Sequence, residues 1–294
     1  MIRQLDIRTF KRNRATPQRA VELQTLAIAI SDRLPGKHRI TIERLDPTTG
    51  NAAHVTSAGA TATTDGNFIK RALDHVRAIG PALGVAGAAT EFVADSAIQV
   101  NSGARAVQLQ QRCHGIPVFQ AVLTVRFGAD GALQDTTGRT IATRREASAA
   151  PRITVKEAVR AAASYVAQPK SAELLGIDLT DFEPSVRVAF TSVSDRLTLL
   201  EAGPFGSEIK ASLTWFALDD QLVLGWQVLL ALPRHGGQYS VIIDAISGEP
   251  AYCQWSRHPM ASSYRIGNTA RDLATDLHAG DYLFTSTTGN WHAR

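Results

Sequence analysis

Between Arg105 and Ile141 the chain alternates apolar and polar residues in short runs cut by turn signals, a pattern that suits antiparallel sheet and little else. Val107 and Leu109 mark the first run, Val118, Val122 and Phe127 the second, and residues 133–141 a third. His114-Gly115-Ile116-Pro117 turns the chain after the first, and Ala129-Asp130-Gly131 is a hairpin signal of the Asp-Gly kind. Residues 105–143 therefore read as a curved sheet of three or four strands. Further strands are expected over residues 39–45 and 52–55, and near 184–191, 211–218, 222–232 and 238–244.

Three amphipathic helices punctuate these strands. The first opens with Thr16 as N-cap and Pro17 at its first position, and Leu23, Leu26, Ala27 and Ile30 share one face. The second, residues 68–79, places Ile69, Leu73, Val76 and Ile79 together and ends at Gly80-Pro81. The third opens with Thr154-Val155-Lys156-Glu157, a capping box in which hydroxyl and carboxylate each satisfy an exposed amide, and continues through Val166. One turn recurs. Asp46-Pro47-Thr48-Thr49-Gly50 and Asp244-Ala245-Ile246-Ser247-Gly248 each follow a strand with Asp, two variable residues, a hydroxyl residue and Gly, which reads as a well-formed hairpin.

The chain has 294 residues, 44% hydrophobic and 20% charged, enough apolar material for a core and unlike a disordered polymer. No apolar run approaches eighteen residues, so no membrane-spanning helix is expected. The net charge of +4 is carried by 25 Arg and 6 Lys with no run of five, a thin spread that does not point to nucleic acid. Cys113 and Cys253 are too few for a disulfide scaffold or a zinc ribbon and are expected as two unbridged thiols. Arg3, Arg8, Lys11, Arg12 and Arg14 could pass for the basic start of an export signal. The only apolar stretch after them, residues 23–30, is interrupted by Gln24 and Thr25 and reads as the first helix, so no export signal is expected.

Catalytic patterns are missing. No two of His38, His54, His75, His114, His235, His258, His278 and His292 stand four apart, which excludes a His-Glu-x-x-His zinc helix. There is no Gly-x-Ser-x-Gly elbow, Gly36-Lys37 lacks the rest of a phosphate loop, and Gly80, Gly84 and Gly87 lack dinucleotide spacing. His235-Gly236-Gly237 reads as a hairpin turn. Cys113 and His114 are adjacent on a strand, so they point to opposite faces and cannot act as nucleophile and base. No catalytic residue, metal or cofactor is expected.

The run from Val107 through Leu109-Gln110-Gln111 to Gly115-Ile116-Pro117-Val118-Phe119, followed by a strand and Asp130-Gly131, resembles the fungalysin/thermolysin propeptide motif. Leu224-Gly225-Trp226-Gln227-Val228, with residues 239–249, is similar to the PepSY part of the same pro-regions. The resemblance spans roughly residues 65–255. It implies an α+β fold of two cystatin-like/PepSY-like modules, each a helix packed on a curved antiparallel sheet. It divides the chain into an N-terminal helix and hairpin (1–64), a propeptide-like module (65–150), a PepSY-like module (151–257) and a tail or linker (258–294).

What the resemblance implies about function is a non-catalytic pro-region of a secreted, fungalysin-like zinc metallopeptidase, which assists folding of the catalytic domain and covers its cleft. The partner is that catalytic domain, in cis or in trans. In the family the protease domain would begin after about residue 260. A stand-alone binding module and a truncated metallopeptidase are the alternatives. The hairpin edge of His114, Ile116, Val118 and Phe119 is one place to look for such a contact, since the last three give an apolar tip; the other reading is that these residues pack the sheet of their own domain.

Overall fold

The computed structural model describes residues 4–256 apart from 9–13, 64–65, 86–89, 100–102, 143–149, 168–174, 190–196, 219–220 and 234–236. The tail expected over 258–294 and the His235-Gly236 turn lie outside the described residues. In chain order the elements are β1 (Leu5–Asp6), α1 (Pro17–Ser31), β2 (Arg39–Leu45), β3 (Ala52–Ala58), α2 (Phe68–Ile79), β4 (Thr90–Gln99), β5 (Arg105–Cys113), β6 (Ile116–Phe127) and β7 (Leu133–Gly138). Then come α3 (Val155–Val166), β8 (Val186–Val188), β9 (Thr198–Leu200), β10 (Ile209–Leu218), β11 (Gln221–Ala231), β12 (Gln238–Asp244) and β13 (Pro250–Ser256).

The three helices begin where their caps dictate. Thr16 accepts from the amide of Arg19 with Pro17 at the start of α1, Asn67 accepts from Lys70, and Thr154 and Glu157 form the reciprocal box of α3. Each then buries one face. Ala27 and Ile30 of α1 with Ala72, Val76 and Ile79 of α2 lie over Val107, Leu109, Leu123, Val125 and Phe127 of β5 and β6. Ala158, Val159, Ala162, Ala163 and Val166 of α3 lie over Val228, Leu230, Val241, Ile243 and Cys253. Small residues along α3 let its backbone sit close to the sheet.

The strands join in the order β1-β13-β12-β11-β10-β6-β7-β3-β2, with β4 reaching β6 through β5 and β8 reaching β10 through β9. Among the described strands all pairings are antiparallel except β6 with β10, which meet at Val118 and Trp215. This overturns the expectation of two cystatin-like/PepSY-like modules, each with one helix on its own sheet: the protein is mostly β, a single mixed sheet of 13 strands. Two helices, not one, cover its first half. A third apolar cluster crosses the join and contains Cys113, Ile116, Val118 and Ala121 from one side with Trp215, Leu222, Leu224 and Ala245 from the other. The first of the described strands is laid on the last of them, Leu5 opposite Cys253 and Asp6 opposite Tyr252.

The two Asp-to-Gly turns are built alike. Asp46 Oδ1 accepts from the amides of Thr48 and Thr49, and Asp244 Oδ1 from those of Ile246 and Ser247. Gly50 and Gly248 close the turns at φ of 69° and 79°. They differ in their surroundings. Asp46 is buried and receives Arg139 at 2.8 Å, whereas the Asp244 carboxylate accepts from its own turn amides, of Ile246 and Ser247.

Candidate functional site

The join between the two halves is made by an irregularity in one hairpin. From Arg105 to Gln110, β5 pairs with β6 in one register, Gln110 opposite Val122; beyond it Arg112 faces Pro117 and Cys113 faces Ile116. Gln111 therefore stands opposite four residues, Val118 to Ala121, which bulge out of the ladder. Bulging frees backbone carbonyls inside the protein, and an unpaired buried carbonyl is costly. Gln110 meets this cost: its buried carboxamide nitrogen lies 2.9, 2.9 and 3.1 Å from the carbonyls of Gln111, Val118 and Ala121. Gln111, fully buried, binds both backbone groups of Ile141, accepting from the amide and donating to the carbonyl. The bulged segment then docks on β10, where Thr214 Oγ1 donates to the Pro117 carbonyl and Trp215 Nε1 to that of Cys113.

The four residues expected at a contact surface fall on this bulge and the turn before it. His114 and Gly115, at φ of 50° and 73°, form a two-residue turn of the kind that needs positive φ at both central positions. His114 is exposed. Ile116, Val118 and Phe119 are buried at 3%, 0% and 8% exposure, the first two in the cluster that crosses the join. The structure thus brings the three apolar residues together inside the protein and leaves only the imidazole at the surface. Cys113 is buried in the join and Cys253 under α3, and no disulfide links them.

Phe119 leads to a feature that periodicity does not reveal. With Phe216, Ile242, Ala251 and Tyr252 it forms an aromatic patch on the face opposite α3, as the alternation of Val241 and Ile243 with Ile242 requires. The Arg8 guanidinium lies over this patch, 5.8 Å from the Phe119 ring centre, 5.0 Å from Phe216 and 5.4 Å from Tyr252. Its side chain is only 10% exposed. Asp6 takes two of its nitrogens at 2.6 and 2.8 Å, and Gln120 Oε1 takes a third at 3.0 Å.

Gln120 can reach Arg8 because it holds φ at 58° within the bulge, an uncommon conformation for a residue with a side chain. Its Nε2 donates to the Tyr252 hydroxyl, which in turn donates to Gln254. Burial pushes the Tyr252 phenol above its usual range, against the opposing pull of the Arg8 charge. Two adjacent glutamines in an alternating strand were the legible hint that β5 is irregular, since alternation alone would hide only one of them. Nothing in the sequence ties Arg8 to residues so distant along the chain.

Among the described residues no group of three or more His, Cys, Asp or Glu stands where it could hold a metal ion, and no helix is long and apolar enough to cross a membrane. His38 and His75 stack at 5.8 Å on the inner side of α2, and neither His75 nitrogen has a hydrogen-bond partner.

No curated protein matches the chain significantly. Residues 90–140, the stretch from β4 through β7 with the bulge at its centre, match the family described as Fungalysin/Thermolysin Propeptide Motif.

Proposed function

We propose that the chain, carrying a fungalysin/thermolysin propeptide motif, is a non-catalytic pro-region that binds the catalytic domain of a fungalysin-like zinc metallopeptidase, assists its folding and blocks its cleft. The observation that carries this reading is the match over residues 90–140. Residues 65–150 are then the propeptide-like portion, and 151–257 the PepSY-like portion, of one continuous sheet. Inhibition of this type needs no chemistry from the inhibitor. A rigid surface that buries against a cleft excludes substrate, with a few anchors supplying most of the affinity.

At the β5–β6 hairpin the accessible anchor is the His114 turn, because Ile116, Val118 and Phe119 are covered. The test is titration of the purified protein against thermolysin-like and fungalysin-like peptidases. A progressive, saturable loss of peptide hydrolysis is expected, together with a higher yield of active enzyme when the catalytic domain is refolded in its presence. No effect on any of these enzymes at large molar excess would refute the reading. His114→Asn keeps a residue that tolerates positive φ and removes the imidazole; it should leave the melting temperature unchanged and weaken inhibition.

A further inference from the structure

Buried polar atoms without partners gather where α2 meets the start of β2. His75, in the middle of α2, is 7% exposed, and both of its nitrogens lack a hydrogen-bond partner. Nε2 of His38, the residue leading into β2, is buried and equally unpartnered. The two rings stack at 5.8 Å with 24° between their planes. Ser57 Oγ, on the residue paired with Ile40, is orphaned as well. Neutral rings can be held this way at a cost, but two charged ones cannot, since a buried charge needs a partner.

Among the described residues none offsets such a charge. On α2, Lys70, Asp74 and Arg77 pair with one another at the surface, and Arg71 donates to the Gly131 carbonyl. On α1, Glu22 pairs with Arg19, and the buried residues are Leu23, Ala27, Ile30 and Ser31. Asp32, Arg33 and Lys37, in the connection to β2, and Glu43 and Arg44 on β2 are exposed. On the sheet, Glu91 and Asp95 of β4 are exposed, Asp135 of β7 is taken by Arg126, and β5 and β6 present Val107, Leu109, Leu123, Val125 and Phe127. The charge acting on His75 is that of His38, and the one acting on His38 is Arg39; both oppose protonation.

The stack also joins two separately anchored pieces. α1 and β2 are tied directly, the amides of Ile40 and Ile42 donating to Ser31 Oγ and Gln24 Oε1, and Arg39 to the Ser31 carbonyl. α2 is tied near its ends, by Arg71 to Gly131 and, just past Ile79, by the carbonyls of Ala82 and Leu83 to Ala52 and Thr140. Between those ties α2 meets the start of β2 through the imidazoles.

We propose that the His38–His75 stack is an acid-operated latch: in acid, proton uptake by the two rings parts α2 from the α1–β2 unit and loosens the helical cover of β4–β7, while the half of the sheet under α3 stays closed. The latch holds whether or not the chain inhibits a peptidase. Its sign follows from linkage. A ring freed by opening takes its proton at the ordinary 6.5, whereas the closed His75 refuses it down to about 3, so the open form gains as pH falls through 6.5.

The test is hydrogen exchange of the full-length protein, followed by mass spectrometry at pH 7 and pH 5 and expressed as protection factors, which removes the pH dependence of exchange itself. Freeing His75 alone makes opening about 25-fold more frequent at pH 5 than at pH 7. Protection over residues 68–79 should fall by about that factor or more, while that over 238–244 holds. His75→Leu should abolish the fall; should it fail to fold, His75→Gln takes its place with the same reading. An unchanged protection of 68–79, an equal fall in wild type and variant, or an equal fall over 238–244 would each overturn the latch.

Discussion

At the scale of single residues, burial sets the behaviour of the charged and polar groups. His75 sits under α2 at 7% exposure, and burial, aided by the neighbouring His38, pushes its pKa down to about 3 from an ordinary value of 6.5. The unfolded chain therefore binds the proton that the folded one refuses, and stability rises with pH between these two values and is flat above them. Near pH 5 the loss attributable to His75 is roughly 2 kcal/mol. His75→Leu should lose less stability than the wild type between pH 7 and pH 5 by about that amount, read from urea midpoints at each pH. Equal losses would show that His75 takes up its proton while folded.

The paired turns offer a second residue-scale contrast. Burial alone would raise the Asp46 carboxyl, but hydrogen bonds from the Thr48 hydroxyl and from Arg139, the Arg139 charge and the Thr49 amide together hold it below the usual range. Asp46→Ala should cost about 2–3 kcal/mol and Asp244→Ala about 1 kcal/mol in equilibrium unfolding, because only the first strands a cation that is two-thirds covered.

At the scale of elements, legibility followed local chemistry. The helices were readable because cap, periodicity and terminator coincide in sequence: α1, α2 and α3 begin at Pro17, Phe68 and Val155. β2, β5 and β12 were equally plain, as runs of strand-forming residues bounded by turn signals. β4 was missed because it shifts register between Ala94 and Ser96 and leaves Val93 exposed, which breaks the two-residue period. β13 was legible only as the return strand of the Asp244 turn, because it opens with Pro250 next to a register shift in β12, and β1 is too short to have any period.

The turn at His114 was legible, whereas the strands that bury the apolar residues after it were not, since those strands lie far along the chain. Phe119→Ala should therefore lower stability by about 3–5 kcal/mol, as for other core phenylalanines, measured by thermal or urea unfolding. A loss below about 1 kcal/mol would mean that the aromatic patch does not depend on it. Thr154→Ala, which opens the α3 capping box, should cost about 1 kcal/mol in the same assay.

At the scale of the whole molecule, the deciding contacts join residues that share no local pattern. Sequence alternation says that a strand exists and which residues share a face, but a bulge that hands one strand from one partner to another depends on a carboxamide beneath it. Val118 and Trp215 make the only parallel pairing among the described strands, and the cluster around them belongs to both halves. The protein should accordingly unfold in one transition, with dichroism and tryptophan fluorescence coincident. Trp215→Ala, which empties the centre of the join, should separate that transition into two; a single, merely lowered transition would place the coupling elsewhere.

The pairing of β1 with β13 has a mechanical consequence. Because the two strands are antiparallel, the chain entering at Gln4 and the chain leaving after Ser256 meet at one end of one edge. Tension between these points loads the hydrogen bonds singly, from the end inward, as a zipper is opened, and never all at once in shear. β1 should peel at low force while the rest of the sheet stays intact, and the Arg8 contact with the aromatic patch is what tension breaks next. A pull between these two points is thereby converted into exposure of the β13 edge.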